Sequence, residues 1–139
     1  MTYTRRDALV VGAGGLAVLA MTRAAWAVTA DEAIAEFTGG AAMGEGGITL
    51  TAPEIAENGN VVPVEVDAAG AAEILVLAPG NPSATICTVA FGPAAGSQRL
   101  STRIRLAKSQ DVTAVAKMAD GSFVSTSQPV KVTVGGCGG

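Results

Sequence analysis

Apolar residues in this chain alternate with polar ones at a period of two, and that pattern most limits what the chain can fold into. Val62, Val64 and Val66 alternate with Pro63 and Glu65. Leu100, Ile104 and Leu106 alternate with Ser101, Arg103 and Arg105, and Val130, Val132 and Val134 with Lys131 and Thr133. Successive strand side chains point to opposite faces, so each run buries one face and wets the other. Ala72 to Leu77 and Thr85 to Phe91 are apolar runs separated by Pro79-Gly80-Asn81-Pro82, a strong turn signal. Ile48 to Thr51 is a brief alternating run, and Asn58-Gly59-Asn60 turns the chain. Val112 to Met118 is a further strand, joined through Asp120-Gly121, a two-residue hairpin connection, to Phe123-Val124-Ser125. Pro63 cannot donate to a ladder and places Val62–Val66 at a sheet edge. The result is seven or eight strands with no helix between them, packed as an antiparallel two-sheet sandwich.

One short helix precedes the strands. Thr29-Ala30-Asp31-Glu32 has the form of a capping box. Ile34 and Phe37 follow at helical spacing, so the helix is expected from about Ala30 to Phe37, with Gly39-Gly40 stopping it.

Composition excludes several kinds of chemistry. At 139 residues, 49% hydrophobic and 15% charged, the chain is one ordinary domain and not a disordered segment. It has no histidine, which removes a Ser-His-Asp triad, a Cys-His dyad and almost every zinc site. Its two cysteines cannot form a disulfide scaffold or a C-x-x-C redox site. A net charge of −3 argues against nucleic acid as partner.

The first 27 residues read as an export address. Arg5 and Arg6 precede an uncharged stretch from Ala8 to Met21, too short to cross a bilayer comfortably. Ala25-Trp26-Ala27 then offers a signal-peptidase site, with cleavage expected after Ala27. The paired arginines mark a twin-arginine signal and a periplasmic destination, with no membrane attachment after cleavage. An uncut membrane anchor is the alternative. Gly12, Gly14 and Gly15 imitate a dinucleotide loop, but no βαβ unit accompanies them. Cleavage removes three arginines and one aspartate and moves the net charge from −3 to −5.

The division expected is a signal peptide over 1–27, a sandwich over 28–134 and an arm over 135–139. The arm is Gly135-Gly136-Cys137-Gly138-Gly139. Gly135, Gly136, Gly138 and Gly139 give it backbone freedom and a thin cross-section. An exposed thiol has a pKa of about 8.5, so Cys137 is a modest nucleophile near neutrality. Nothing beside it in sequence supplies an acid, a base or an oxyanion site, so it suits a carrier better than a catalyst. A terminal cysteine that merely links two copies of an exported scaffold is the competing reading. Cys87 lies within Thr85-Ile86-Cys87-Thr88-Val89 and reads as a small buried hydrophobe. A Cys87–Cys137 disulfide is a further alternative. No docking residues are defined; the face bearing Arg103 and Arg105 and the Val62–Val66 edge are candidates, and the arginines equally serve solubility.

The terminal Gly135-Gly136-Cys137-Gly138-Gly139, following a valine-rich strand, resembles the SoxY family of sulfur carriers from the bacterial thiosulfate-oxidising (Sox) system. The resemblance extends through Thr102–Val112 and Ala114–Phe123, and takes in the paired arginines and the short helix. It implies an immunoglobulin-like sandwich and a carrier with no cofactor, metal or catalytic residues of its own. It implies that sulfur intermediates are attached covalently to Cys137. It also implies a SoxZ-like β protein as heterodimer partner, and transient encounters with three enzymes. SoxXA joins thiosulfate to the thiol, SoxB releases sulfate, and SoxCD oxidises the remaining sulfane sulfur. The resemblance gives Cys87 no role. A ubiquitin-like carrier that activates the Gly139 carboxylate is a different reading, and the export signal counts against it.

Overall fold

Helix α1 (Ala30–Thr38) forms where the capping box places it. The Glu32 amide donates to the Thr29 hydroxyl at 3.3 Å, and the Thr29 amide donates to the Glu32 carboxylate at 2.9 Å. The Thr29 amide and hydroxyl, both donating to the Glu32 carboxylate, hold that carboxyl below its usual range. Gly39, at φ 64, ends the helix in the left-handed region that favours glycine. The computed structural model describes residues 28–135, so Arg5, Arg6, Ala27, Gly136, Cys137, Gly138 and Gly139 lie outside the described residues.

Among the described residues, nine strands follow α1. They are β1 (Met43–Gly44), β2 (Thr49–Thr51), β3 (Ile55–Asn58), β4 (Val62–Asp67), β5 (Ala71–Leu77), β6 (Thr85–Ala90), β7 (Arg99–Ile104), β8 (Gln110–Met118) and β9 (Phe123–Val134). The larger sheet runs β1-β9-β8-β5-β6, with β3 also pairing β9, and the smaller runs β2-β4-β7. Together they make the expected immunoglobulin-like sandwich. Val62, Val64, Val66, Ile104 and Leu106 on one side meet Ile74, Val76, Val112, Ala114, Ala116 and Val130 on the other. Fully burying each Val, Leu or Ile contributes roughly 1.5–3 kcal/mol. The helix covers the outer face of the larger sheet, laying Ala33, Ile34 and Phe37 on Leu75, Leu77 and Val115. The Phe37 ring meets Phe123 edge-on at 5.9 Å.

Several expectations are corrected. Val62–Val66 is not an edge strand: β4 lies between β2 and β7. Pro63 is tolerated because β2 pairs only with Glu65, Val66 and Asp67, so no β2 carbonyl awaits an N–H at position 63. The sheets are not wholly antiparallel, since β1 and β3 both run parallel to β9. Val130–Val134 is not separate from Phe123–Ser125; both belong to one 12-residue strand. The Lys131 amide donates away from β8, to the Glu54 carbonyl. By the period of two, position 129 points the same way, into the gap between β3 and β1, and Pro129 costs the ladder nothing there. The turn after β8 has a single positive φ, 86° at Gly121, so it is not the primed two-residue turn that needs two.

Bulges adjust β5 and β6. Cys87 pairs with Val76 and Thr85 with Leu77, which leaves Ile86 extra. Ile86 and Cys87 therefore both pack against the core.

The two long sides of the sandwich differ. On one, β2 approaches β9, and the Gln128 amide donates to the Ala52 carbonyl across the sheets at 2.8 Å. On the other, β6 and β7 each have a single strand partner among the described residues.

Candidate functional site

The last strand leaves the body at a built root. Val134 is 62% exposed, and Gly135 follows it into solvent. The Val134 carbonyl accepts from the Gly59 amide at 2.8 Å, and the Gly59 carbonyl accepts from the Leu106 amide at 2.7 Å. This relay ties the end of β9 to the β3–β4 turn and to the β7–β8 loop. The turn is braced within itself by the Asn60 amide, which donates to the Asn58 side chain at 2.9 Å.

The β7–β8 loop is held by side chains from elsewhere. Asn81 donates to the Arg105 carbonyl at 2.7 Å, and its oxygen accepts from the Ala107 amide at 2.9 Å and from Gln110 at 3.0 Å. Gln110 also donates to the Lys108 carbonyl at 3.1 Å and accepts from the Gly80 amide at 2.7 Å. Ser109 Oγ accepts from the Val132 amide at 2.8 Å and donates to the Val132 carbonyl at 3.3 Å, so one hydroxyl does what a neighbouring strand residue would do. The loop thus presents the Ala107 carbonyl at a fixed place. A Cβ built on Gly135 would land on that oxygen. The φ of Gly135 is not in the left-handed region, so closeness of approach, not handedness, demands glycine here.

The surroundings are exposed and carry both charges, with Glu57 beside the Asn58 that pairs Val134. Arg105, Lys108 and Lys131 are all exposed near the root. The outward face of the smaller sheet carries Arg103, opposite Pro63, and Arg99. Arg99 donates to Glu65 at 2.5 Å and lies near Asp67, and these carboxylates raise its guanidinium pKa further. The wet arginine face expected from the sequence is present, and Arg99, which that reading passed over, is its paired member.

Cys87 is free and half-buried on β6, and burial pushes its thiol up. A raised pKa leaves less thiolate, so Cys87 is the weaker nucleophile relative to an exposed cysteine. Among the described residues, no three of His, Cys, Asp or Glu gather as metal ligands. No helix among them is long and apolar enough to cross a membrane. Sequence reasoning found the Asn81 and Gly59 turns but missed the long-range bonds each makes, and it missed Ala107, Ser109 and Gln110. The only signal was Asn-Pro after Pro-Gly, which marks a turn and not the distant loop the turn would grip.

These features define a class, an immunoglobulin-like sandwich whose last strand delivers its end to solvent at a fixed root. The family profile described as sulfur oxidation protein SoxY matches residues 34–137. The sulfur carrier protein SoxY from Chlorobium limicola f thiosulfatophilum is 34% identical, with a TM-score of 0.66 over 75% of this chain and 96% of that one. A superoxide reductase (neelaredoxin) from Ignicoccus hospitalis shares the fold alone, at 20% identity and a TM-score of 0.55 over 75% of this chain and 92% of that one. A search of curated proteins gives no match. The chain belongs to the SoxY family of sulfur oxidation proteins.

Proposed function

We propose that this protein is a covalent sulfur carrier, exported through the twin-arginine pathway and cut after Ala27, that works in the periplasm. Sulfur intermediates of thiosulfate oxidation are held on the Cys137 thiol, and Gly135–Gly139 form the arm that presents them. The carrying observation is the root: β9 brings Val134 and Gly135 out to solvent, and Cys137 stands two residues further in sequence. The likeness to a SoxY sulfur carrier supports the same reading.

The chemistry divides between carrier and enzymes. Joining thiosulfate to the thiol forms an S–S bond, releases the thiol proton and passes two electrons to a c-type cytochrome enzyme of the SoxXA kind. Hydrolysis by a SoxB-like enzyme then takes up one water, breaks the bond to the terminal sulfone and leaves a persulfide with release of sulfate. A SoxCD-like enzyme oxidises the sulfur that remains. The carrier contributes the Cys137 thiol, and it needs no cofactor. A SoxZ-like β protein is its permanent partner.

Intact-mass measurement after incubation with thiosulfate and the partner enzymes tests this reading. Adducts are expected on Cys137 and absent from Cys137→Ser. A tail that stays unmodified during turnover, or that only links two copies through a disulfide, would defeat it.

A further inference from the structure

We infer that Gly135 is a fixed seat and not a hinge: the β7–β8 loop holds it against the Ala107 carbonyl. Three observations converge on this. The residue before, Val134, has its carbonyl held by the Gly59 amide. Gly135 itself passes so close to Ala107 that no side chain fits. The loop cannot easily withdraw, because Asn81 holds the Ala107 amide and Ser109 holds Val132 of the same strand that leads into the arm. Asn81, Ser109 and Gly135 are therefore positioning residues. They set the point and direction of departure without touching cargo.

The seat limits reach. Two residues of any chain span at most about 7 Å, at roughly 3.3–3.6 Å each, so a fixed Gly135 bounds how far Cys137 can be carried from the β7–β8 loop. An enzyme acting on the thiol must then approach the end of β9, where the β3–β4 turn and the β7–β8 loop meet it. This consequence rests on the carrier reading, whereas the seat itself does not.

The test reads the seat without any cargo. A nitroxide is attached to Cys137 in a Cys87→Ala background, and broadening of backbone amide signals is measured. The expected result is strong broadening at Gly59, Ala107 and Lys108, with none at the far Asp120–Ser122 turn. Gly136→Ala should keep this pattern and Gly135→Ala should disperse it. Ser109→Ala, which removes only exposed bonds, should spread it partially and decides the matter if Gly135→Ala does not fold. An unchanged pattern in Gly135→Ala, or in Ser109→Ala where that variant decides, would overturn the seat. So would even broadening in the parent protein. With partner enzymes, Gly135→Ala should lower the rate of cargo processing about tenfold, as misplacing a reacting group does, while its rate of alkylation by a small reagent stays unchanged. Absence of any adduct on Cys137 would instead sink the carrier reading and leave the seat standing.

Discussion

The two ends of the sandwich are built by different means. At the hairpin end, between β8 and β9, the chain holds itself locally. Gly121 at φ 86 donates to the Met118 carbonyl at 3.0 Å, and Asp120 accepts from the Ser122 amide at 2.9 Å and hydroxyl at 2.6 Å. At the root end the bonds come from far away in sequence, Asn81 to Arg105 and Ala107, and Ser109 to Val132. A local turn needs only to reverse the chain. Long-range side-chain bonds also fix where one loop stands relative to another, which a departing tail requires and a hairpin does not.

The sharpest way to break this comparison is at Asn81. Asn81→Ala removes three bonds from a partly buried loop and should cost about 2 kcal/mol in denaturant unfolding, since partners left unsatisfied lose more than the bond itself. At the other end, Gly121→Ala forces a side chain into the left-handed region and should cost about 1 kcal/mol. If Gly121→Ala proves the more damaging, the root is not the more interdependent end. Ser109→Ala should cost roughly 0.5–1 kcal/mol, because water can replace its exposed bonds, with faster hydrogen exchange confined to Val132 and its neighbours.

The smallest expected effect is in pH. Bonds from Ser122 lower the Asp120 carboxyl, and those from Thr29 lower Glu32. A depressed folded-state pKa gives stability that is full above the ordinary carboxylate range and is lost as pH falls through the folded value. Acidification should therefore loosen the Asp120–Ser122 turn and the start of α1 first. The Asn81–Gln110–Ser109 contacts do not titrate and should hold over the same range. Amide exchange followed from neutral to acid pH distinguishes the ends, and simultaneous loosening would contradict the contrast.

Much of the fold was legible because it depends on short-range rules. The capping box, Gly39 and the alternation in Val62–Val66 report local preferences, and the structure follows them, whereas Val130–Val134 follows its alternation only as far as Val132, since Val134 is exposed. What was hidden depends on pairing. Pro63 pointed to an edge, yet β4 is central, because β2 stops before reaching it. Phe123–Ser125 and Val130–Val134 read as separate runs, yet they form one strand, because the missing donor of Pro129 faces a gap. The parallel strands β1 and β3 carry little alternation of their own and exist because β9 offers them a ladder. At the candidate site, the glycines after Val134 read as freedom. Only the placement of Ala107 shows that Gly135 answers to a close approach, and no local pattern encodes a contact between residues so distant in sequence.

The unequal sides of the sandwich bear on assembly. With β9 sheltered by β1, β2 and β3, the opposite side of the sandwich ends, among the described residues, in β6 and β7, each paired on one side alone. A strand added to such a flank covers the edge it uses, so pairing there joins two chains without leaving that edge open to a third.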